Sequence, residues 1–315
     1  MTEAMQDTTF TYDDPDGFKI FVRRWAPPAG VKAKAVVQIA HGAAEHSLRY
    51  ERFARFLNQA GYIAYANDHR GHWMTAGSLD KAGKAGDDGW NGIVKDAKLL
   101  TDIIKKENPG LPVFLFGHSM GSLLSQHYIQ QWGSEIAGVV LCGSSGARPD
   151  MEKAISTLEK LPRDGIAKAM FSEANKRFEP GKTGFEWLSR DEEEVQKYVD
   201  DPWCGFSFTF GFSLDLLKGI QEGWKPENEA RIPKNLPIYI VSGADDPAAG
   251  EKAENVKLLI QRYKKSGIKN LMAKLYPGAR HEILNETNRG DVQRDLRNWF
   301  DALLRRLRSR QPAQK

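Results

Sequence analysis

Cysteine is scarce in this chain: Cys142 and Cys204 are the only two in 315 residues. Two thiols cannot frame a fold of this size with disulfides. Cys142 lies in an apolar run and reads as a small buried hydrophobe. No stretch of about 18 apolar residues occurs, so no segment suits a membrane-spanning helix. The first ten residues lack both a basic segment and an apolar core, so a secretory signal is not expected and a cytoplasmic location is. Charge of one sign is in slight excess only: 45 Lys and Arg against 41 Asp and Glu give +4. Much of that excess sits in Arg305, Arg306, Arg308 and Arg310, which read as a solvated helix end. Nucleic-acid binding would call for a concentrated basic face interleaved with aromatics, and none is visible. Internal repeats and low-complexity segments are missing too.

What is present is an alternation of short β-rich runs and amphipathic helical patterns. Residues 8–12 and 18–25 flank Asp13-Asp14-Pro15-Asp16-Gly17, a turn sequence that predicts a hairpin. Residues 35–40 read as a buried strand ending at His41-Gly42. Tyr50, Phe53, Ala54 and Leu57 fall at helical spacing with Gly61 as the stop, and 62–66 is the next strand. Ile93, Ala97, Leu100 and Ile104 mark a second helix, closed by Asn108-Pro109-Gly110. Strand 113–116, a helix after Ser119 and strand 138–141 follow. The rhythm breaks near Gly146 and resumes at Pro237 with strand 238–242. A helix then carries Val256, Leu259, Ile260 and Tyr263, followed by strand 270–276. The final helix has Val292, Leu296, Trp299, Phe300, Leu303 and Leu307 on one stripe. This pattern predicts an α/β fold with a mostly parallel central sheet and helices on both faces.

Residues 1–146 and 233–315 read as the core, and 147–232 as a helical cap insertion over the strands' C-terminal ends, where ligands bind in open α/β sheets. Met151, Ala154, Ile155 and Leu158 mark a short helix in it. Seven of the chain's fifteen phenylalanines lie between Phe171 and Phe212. They can serve the insertion's own small core and also roof a greasy acyl pocket. The run Asp191-Glu192-Glu193-Glu194 reads as a solvated helix start.

The chemistry centres on Gly117-His118-Ser119-Met120-Gly121. Chance would produce about 0.1 matches to Gly-x-Ser-x-Gly in such a chain, so the bare pattern is only a hypothesis. A β-rich run before it and a helical run after it make it a nucleophile elbow, with the serine on a tight strand-to-helix turn. A serine hydroxyl needs a base, and the base needs an orienting acid. In this arrangement the acid and then the histidine follow the serine. His41, His46, His69 and His72 precede Ser119, His118 must point away from it, and His127 lies on the helix behind. His281 remains, on a loop after strand 270–276. The acid belongs one strand earlier, where Asp245 and Asp246 are both reachable; Asp246 is preferred because Pro247 biases it to an extended loop edge. The oxyanion donors should be the backbone N–H groups of Met120 and Ala43, with Gly42 letting the backbone approach.

These stretches resemble the α/β-hydrolase superfamily, and within it the monoacylglycerol lipase / lysophospholipase branch, also called serine aminopeptidase S33-like. The resemblance rests on His41 to Tyr50, Asn67-Asp68-His69-Arg70-Gly71-His72, Val113 to Ser122, Gly243-Ala244-Asp245-Asp246-Pro247 and His281-Glu282. It implies Asp246 as the acid, Ala43 and Met120 as oxyanion donors, and Glu45 and Arg49 as holders of a glycerol ester's polar head. Trp73 departs from the pattern, since related sequences usually carry Gly there. The stretch 76–88 is rich in Gly and Lys and receives no expectation. The implied activity is hydrolysis of single-acyl-chain esters through an acyl-serine, without metal or organic cofactor. The implied partner is a small-molecule acyl ester, with peripheral membrane contact through the cap as a further expectation. Oligomeric state is not legible. An aminopeptidase or amidase of the same fold would need acidic groups for a free ammonium, which the 191–194 run could offer. A catalytically silent binding protein of this fold would ordinarily have lost a member of the triad.

Overall fold

A computed structural model describes residues 7–146, 150–167 and 172–310. Eight strands form one sheet in the order β1-β2-β4-β3-β5-β6-β7-β8. They are β1 (Thr8–Asp13), β2 (Lys19–Trp25), β3 (Ala35–Ala40), β4 (Tyr62–Asn67), β5 (Val113–His118), β6 (Gly138–Cys142), β7 (Ile238–Gly243) and β8 (Leu271–Tyr276). β1 and β2 form the expected antiparallel hairpin, β2 pairs antiparallel with β4, and all other pairings are parallel.

The central strands are continuous apolar runs because both of their faces are covered. Along β5 the period-2 alternation sends Leu115 to one face and Phe114 and Phe116 to the other. Helices α1 (Glu51–Gln59) and α8 (Arg289–Arg310) cover the phenylalanine side, through Phe53, Leu57, Leu296 and Phe300. Helices α2 (Gly89–Glu107), α3 (Met120–Trp132) and α7 (Glu254–Lys265) cover the other, through Ile93, Leu124, Tyr128 and Leu259. Each such large side chain, fully buried, contributes on the order of 1.5–3 kcal/mol. The α8 stripe runs out before its end: Leu307 is exposed, as are Arg305, Arg306 and Arg308.

Between β6 and β7 lie α4 (Met151–Leu158), α5 (Glu192–Asp200) and α6 (Phe210–Gly223). The phenylalanines here divide. Phe178 and Phe185 pack with Trp187, Leu188 and Tyr198, whereas Phe208 and Phe212 belong to the main core beside Trp90. Phe171 lies outside the described residues. The acidic run caps α5: Asp191 accepts from Glu194 N–H and pairs with Arg289 at 2.7 Å. Glu194 is buried against Arg52 and Lys197 rather than solvated.

The register sets the C-terminal ends of β3, β5, β6, β7 and β8 side by side, with Ala40 opposite Gly117, His118 opposite Cys142, and Gly243 opposite Tyr276. The loop after β4 is anchored there by Arg70, which is 1% exposed. Its guanidinium pairs with Asp96 of α2 at 2.7 Å and with Asp14 and Asp16 of the hairpin turn at 2.7 and 2.8 Å. Trp73 has φ +30°, a left-handed backbone that suits the glycine expected there. Its ring compensates by packing on His46 at 4.2 Å and beneath the Arg23 guanidinium at 4.6 Å.

Removing Arg70's charge leaves two nearly inaccessible carboxylates without a counterion, which is far costlier than losing an exposed pair. Arg70→Met is expected to lower stability by about 3–5 kcal/mol, read from the urea midpoint. Adding Asp14→Asn and Asp96→Asn should recover part of the loss, and a midpoint at the wild-type value would show that the cluster holds nothing.

Candidate active site

Ser119 joins β5 to α3 with φ +52° and ψ −117°. A non-glycine residue held there costs of order 1–3 kcal/mol, which the surroundings must offset. Its N–H donates to Cys142 O at 2.9 Å, and its carbonyl accepts from Ser122 and Leu123 N–H in the first turn of α3. Close packing explains Gly121: a β-carbon there would lie 2.1 Å from Ala40 O, so the end of β3 could not sit against the elbow. Met120 opens α3, where backbone N–H groups and the helix dipole favour negative charge. Ala43 follows β3, and a β-carbon on Gly42 would lie 3.2 Å from Ser119 Cβ.

Of the two aspartates after β7, Asp246 is fully buried and Asp245 exposed. Asp246 has an extended backbone before Pro247, and its Oδ1 lies 2.9 Å from His281 Nδ1. The carboxylate also accepts from Ala248 N–H at 2.8 Å and Ser242 Oγ at 3.3 Å, two supports that no sequence pattern indicated. Burial opposes ionisation of Asp246, but His281 and these bonds outweigh it and hold the carboxyl below its ordinary value. Burial likewise depresses His281, yet the charge and hydrogen bond of Asp246, with Glu282 and Glu45 behind, raise it above 6.5.

Ser119 and His281 each lie against the end of β6. The serine's N–H is bonded to Cys142 O, and the next residue, Gly143, sits under His281, where a β-carbon would lie 3.2 Å from the ring's Cε1. His118 lines a cavity of about 20 Å³ with Glu45, Arg49 and Glu282. Burial and the neighbouring His281 push its pKa down to about 3. On its other side His281 packs against Trp187, ring centroids 4.8 Å apart, and its N–H donates to Trp187 O. Trp187, like Tyr198 below, escaped the sequence reading because aromatic residues of the insertion could as readily fill its own core.

Glu45 and Arg49 are bonded to groups of the protein itself. Glu45 is 3% exposed. One of its oxygens accepts from Gly42 N–H at 2.5 Å and Tyr50 OH at 2.7 Å, and the other from Arg49 at 2.6 Å. Arg49 forks onto Glu282 with bonds of 2.5 and 2.7 Å. Despite burial, Arg49 holds the Glu282 carboxyl down at about 2. Both residues are engaged as braces between the loop after β3 and the residue beside His281. The loop is also bound from the insertion: Tyr198 OH and Gly205 N–H both donate to Ala44 O, and His46 Nε2 lies 2.9 Å from Asp201.

A family model described as "Serine aminopeptidase, S33" matches residues 31–288. The chain is 30% identical over 274 residues to the human monoglyceride lipase, covering 86% of this chain and 82% of that protein. It is 28% identical over 292 residues to the monoacylglycerol lipase of Mycolicibacterium smegmatis, covering 90% and 93%. A crystal structure of a highly thermostable carboxyl esterase from Bacillus coagulans, in complex with glycerol, superposes with a TM-score of 0.88. That match has 28% identity and covers 96% of this chain and all of the other.

Replacing Asp246 by Asn should let burial dominate, so the His281 imidazole pKa, followed by NMR, is expected to fall from above 6.5 to below it. The pair's contribution to stability has a defined window. Asp246, with a lowered folded pKa, stabilises above its ordinary 3.8, and the gain is lost as pH falls through the folded value. His281, with a raised one, stabilises below 6.5, and the gain is lost as pH rises through its folded value. The stability gap between wild type and Asp246→Asn should therefore peak between those limits, and a gap independent of pH would rule the pairing out.

Proposed function

The chain belongs to the serine aminopeptidase S33 family, in the branch that holds the monoglyceride lipases, and from that premise we propose that it hydrolyses single-acyl-chain glycerol esters through an acyl-serine at Ser119. It is a carboxylic ester hydrolase of the α/β-hydrolase fold. What supports the reading is Ser119 on its strained turn after β5 together with the buried His281–Asp246 pair, on the loops that follow β7 and β8 of the same parallel sheet. Residues 147–232 act as a cap over this site, with 1–146 and 233–315 as the core.

In this mechanism His281 Nε2 takes the Ser119 proton as Oγ attacks the ester carbonyl. Asp246 holds the ring with Nδ1–H toward it and stabilises the cation that forms. The tetrahedral oxyanion is held by the N–H groups of Ala43 and Met120. Collapse expels the alcohol, which receives the proton from His281. The imidazole then activates water to release the fatty acid and free the serine. Monoacylglycerol is the favoured substrate, and lysophospholipid is the related finer possibility to be tested beside it. Leu161, Ile166 and Val199 are exposed apolar side chains of the cap, and they support its resting on a lipid surface while the enzyme works from the cytoplasm. No helix among the described residues is long and apolar enough to cross a membrane. The aminopeptidase reading loses support, because three of the four carboxylates at 191–194 are engaged: Asp191 by its helix cap and Arg289, Glu194 by Arg52 and Lys197, and Glu192 by Lys182.

Ser119→Ala should lower kcat about 10⁶-fold on a monoacylglycerol and abolish labelling by a fluorophosphonate, with an unchanged melting curve. Wild-type turnover in the folded variant would defeat the proposal. A panel of monoacylglycerols, lysophosphatidylcholine, short-chain p-nitrophenyl esters and amino-acid p-nitroanilides should show the first class fastest and the anilides inert. Because the base must be neutral and its pKa is raised, kcat/KM is expected to climb with pH through a value above 6.5. A limb at or below that value would remove Asp246 from the role given to it.

A further inference from the structure

Three histidines before the elbow have no part in the mechanism above, yet they pack together around the loop that carries Ala43. The rings of His41 and His69 are 4.0 Å apart, those of His41 and His72 5.0 Å, and those of His69 and His72 6.0 Å. All three are at most 1% exposed. Burial lowers each pKa, His69 to about 3 and His72 to about 4, so the rings are neutral at any ordinary pH.

Their proton positions follow from their partners, since a backbone N–H can only donate. The N–H of His69 donates to His41 Nε2 at 3.0 Å. His41 Nε2 is thus the lone-pair nitrogen, and Nδ1 carries the proton. That Nδ1–H faces Gly42 O at 2.8 Å. By the same reasoning Ala44 N–H donates to His72 Nε2 at 3.3 Å, and His72 Nδ1–H donates to Arg70 O at 2.9 Å.

The loop's backbone bonds can now be assigned one by one. Gly42 N–H goes to Glu45, Gly42 O to His41, Ala44 N–H to His72, and Ala44 O to Tyr198 and Gly205. Ala44 itself has φ +51°, a left-handed backbone that holds because both its polar groups are engaged. The carbonyl and N–H of a trans peptide point in opposite directions. With Gly42 O held on the imidazole side, the N–H of Ala43, in the same peptide plane, is aimed the other way. Gly42 lies directly against Ser119.

We propose that His41 and His72 are positioning residues for the oxyanion donor at Ala43: His41 orients the Gly42–Ala43 peptide and His72 secures the next one. The inference rests on the reading of Ser119 as nucleophile. Neither ring touches the reacting atoms, so the effect should fall on transition-state binding rather than on substrate binding.

The test compares side chains that keep or lose one atom's function. His41→Leu and His72→Leu remove the bonds; His41→Asn restores a donor near Nδ1, and His72→Gln an acceptor near Nε2. Each leucine variant is expected to lose about 10²-fold in kcat with KM within a few-fold, and its amide counterpart to regain at least tenfold. Affinity for a trifluoromethyl ketone, whose serine adduct carries an oxyanion, should fall in parallel with kcat. Folded leucine variants with wild-type kcat and ketone affinity would overturn the inference, as would a loss confined to KM. If the leucine variants fail to fold, His41→Asn and His41→Gln decide it, because the Gln amide reaches the Nε2 position instead. Asn should then keep substantially more activity, and equal kcat would overturn the inference. A wild-type protein that neither hydrolyses esters nor takes a fluorophosphonate would defeat the functional reading itself. An active wild type with indifferent histidine variants would defeat only this one.

Discussion

The ion cluster of Glu45, Arg49 and Glu282 is the constraint on which the site's geometry rests. Two loops far apart in the chain must be held in fixed relation, one after β3 and one after β8. Neither is secured to the other by sheet hydrogen bonds. A guanidinium is suited to the task because its planar fork can engage two carboxylates at once with directional bonds. Glu45 reaches on to Gly42 N–H, and Glu282 adjoins His281, so the cluster spans from the loop after β3 to the residue beside the imidazole. Burying three charges is not a means of gaining net stability, because desolvation cancels much of the attraction. What such a cluster provides is a single allowed arrangement, and an acyl-transfer site requires that more than it requires extra stability.

The segment between β6 and β7 adds a second restraint of a different kind. Trp187 O and Leu188 O accept from the N–H groups of His281 and Glu282, and the Trp187 ring packs on the imidazole. Arg280 donates to the carbonyls of Glu186 and Ser189. The His281 loop is therefore strapped along its backbone by this segment, while Tyr198 and Gly205 grip the opposite loop at Ala44. The Arg49 guanidinium, 4.8 Å from the Tyr198 ring, connects the two grips. Movement of this segment would loosen both loops together, which makes it part of the site's construction.

Much of the fold was legible because the parallel strands are buried on both faces. Runs such as Val113-Phe114-Leu115-Phe116 announce themselves, and helix stripes such as Leu296-Trp299-Phe300-Leu303 carry an unambiguous period. Ser119 and His281 were legible because strand context and chain order leave few candidates. Asp246 needed more, since Asp245 satisfies the same spacing, and only burial and the bond to His281 separate them in space. The ion cluster that Glu45 and Arg49 make with Glu282 was not legible: a charged pair at i, i+4 looks the same whether or not a third charge is brought to it from 233 residues away. Trp187 and Tyr198 were hidden for the same reason, since their partners lie on other elements.

Backbone strain shows where these restraints converge. Of the six described non-glycine residues with positive φ, three, Ala44, Trp73 and Ser119, lie on the connections that follow β3, β4 and β5, and each is held by contacts from separate parts of the chain. Ala44 is gripped by an imidazole and a phenol, Trp73 by His46 and Arg23, and Ser119 by β6 and the first turn of α3. A left-handed residue with one anchor would relax when that anchor moved, whereas one with two stays in place. Trp73 shows that glycine is not the sole solution at such a position: a large ring can replace conformational freedom with packing. It does so on His46, whose other contact is Asp201 of the insertion. The tryptophan at residue 73 thus links the loop after β4, through His46, to Asp201 of the segment between β6 and β7.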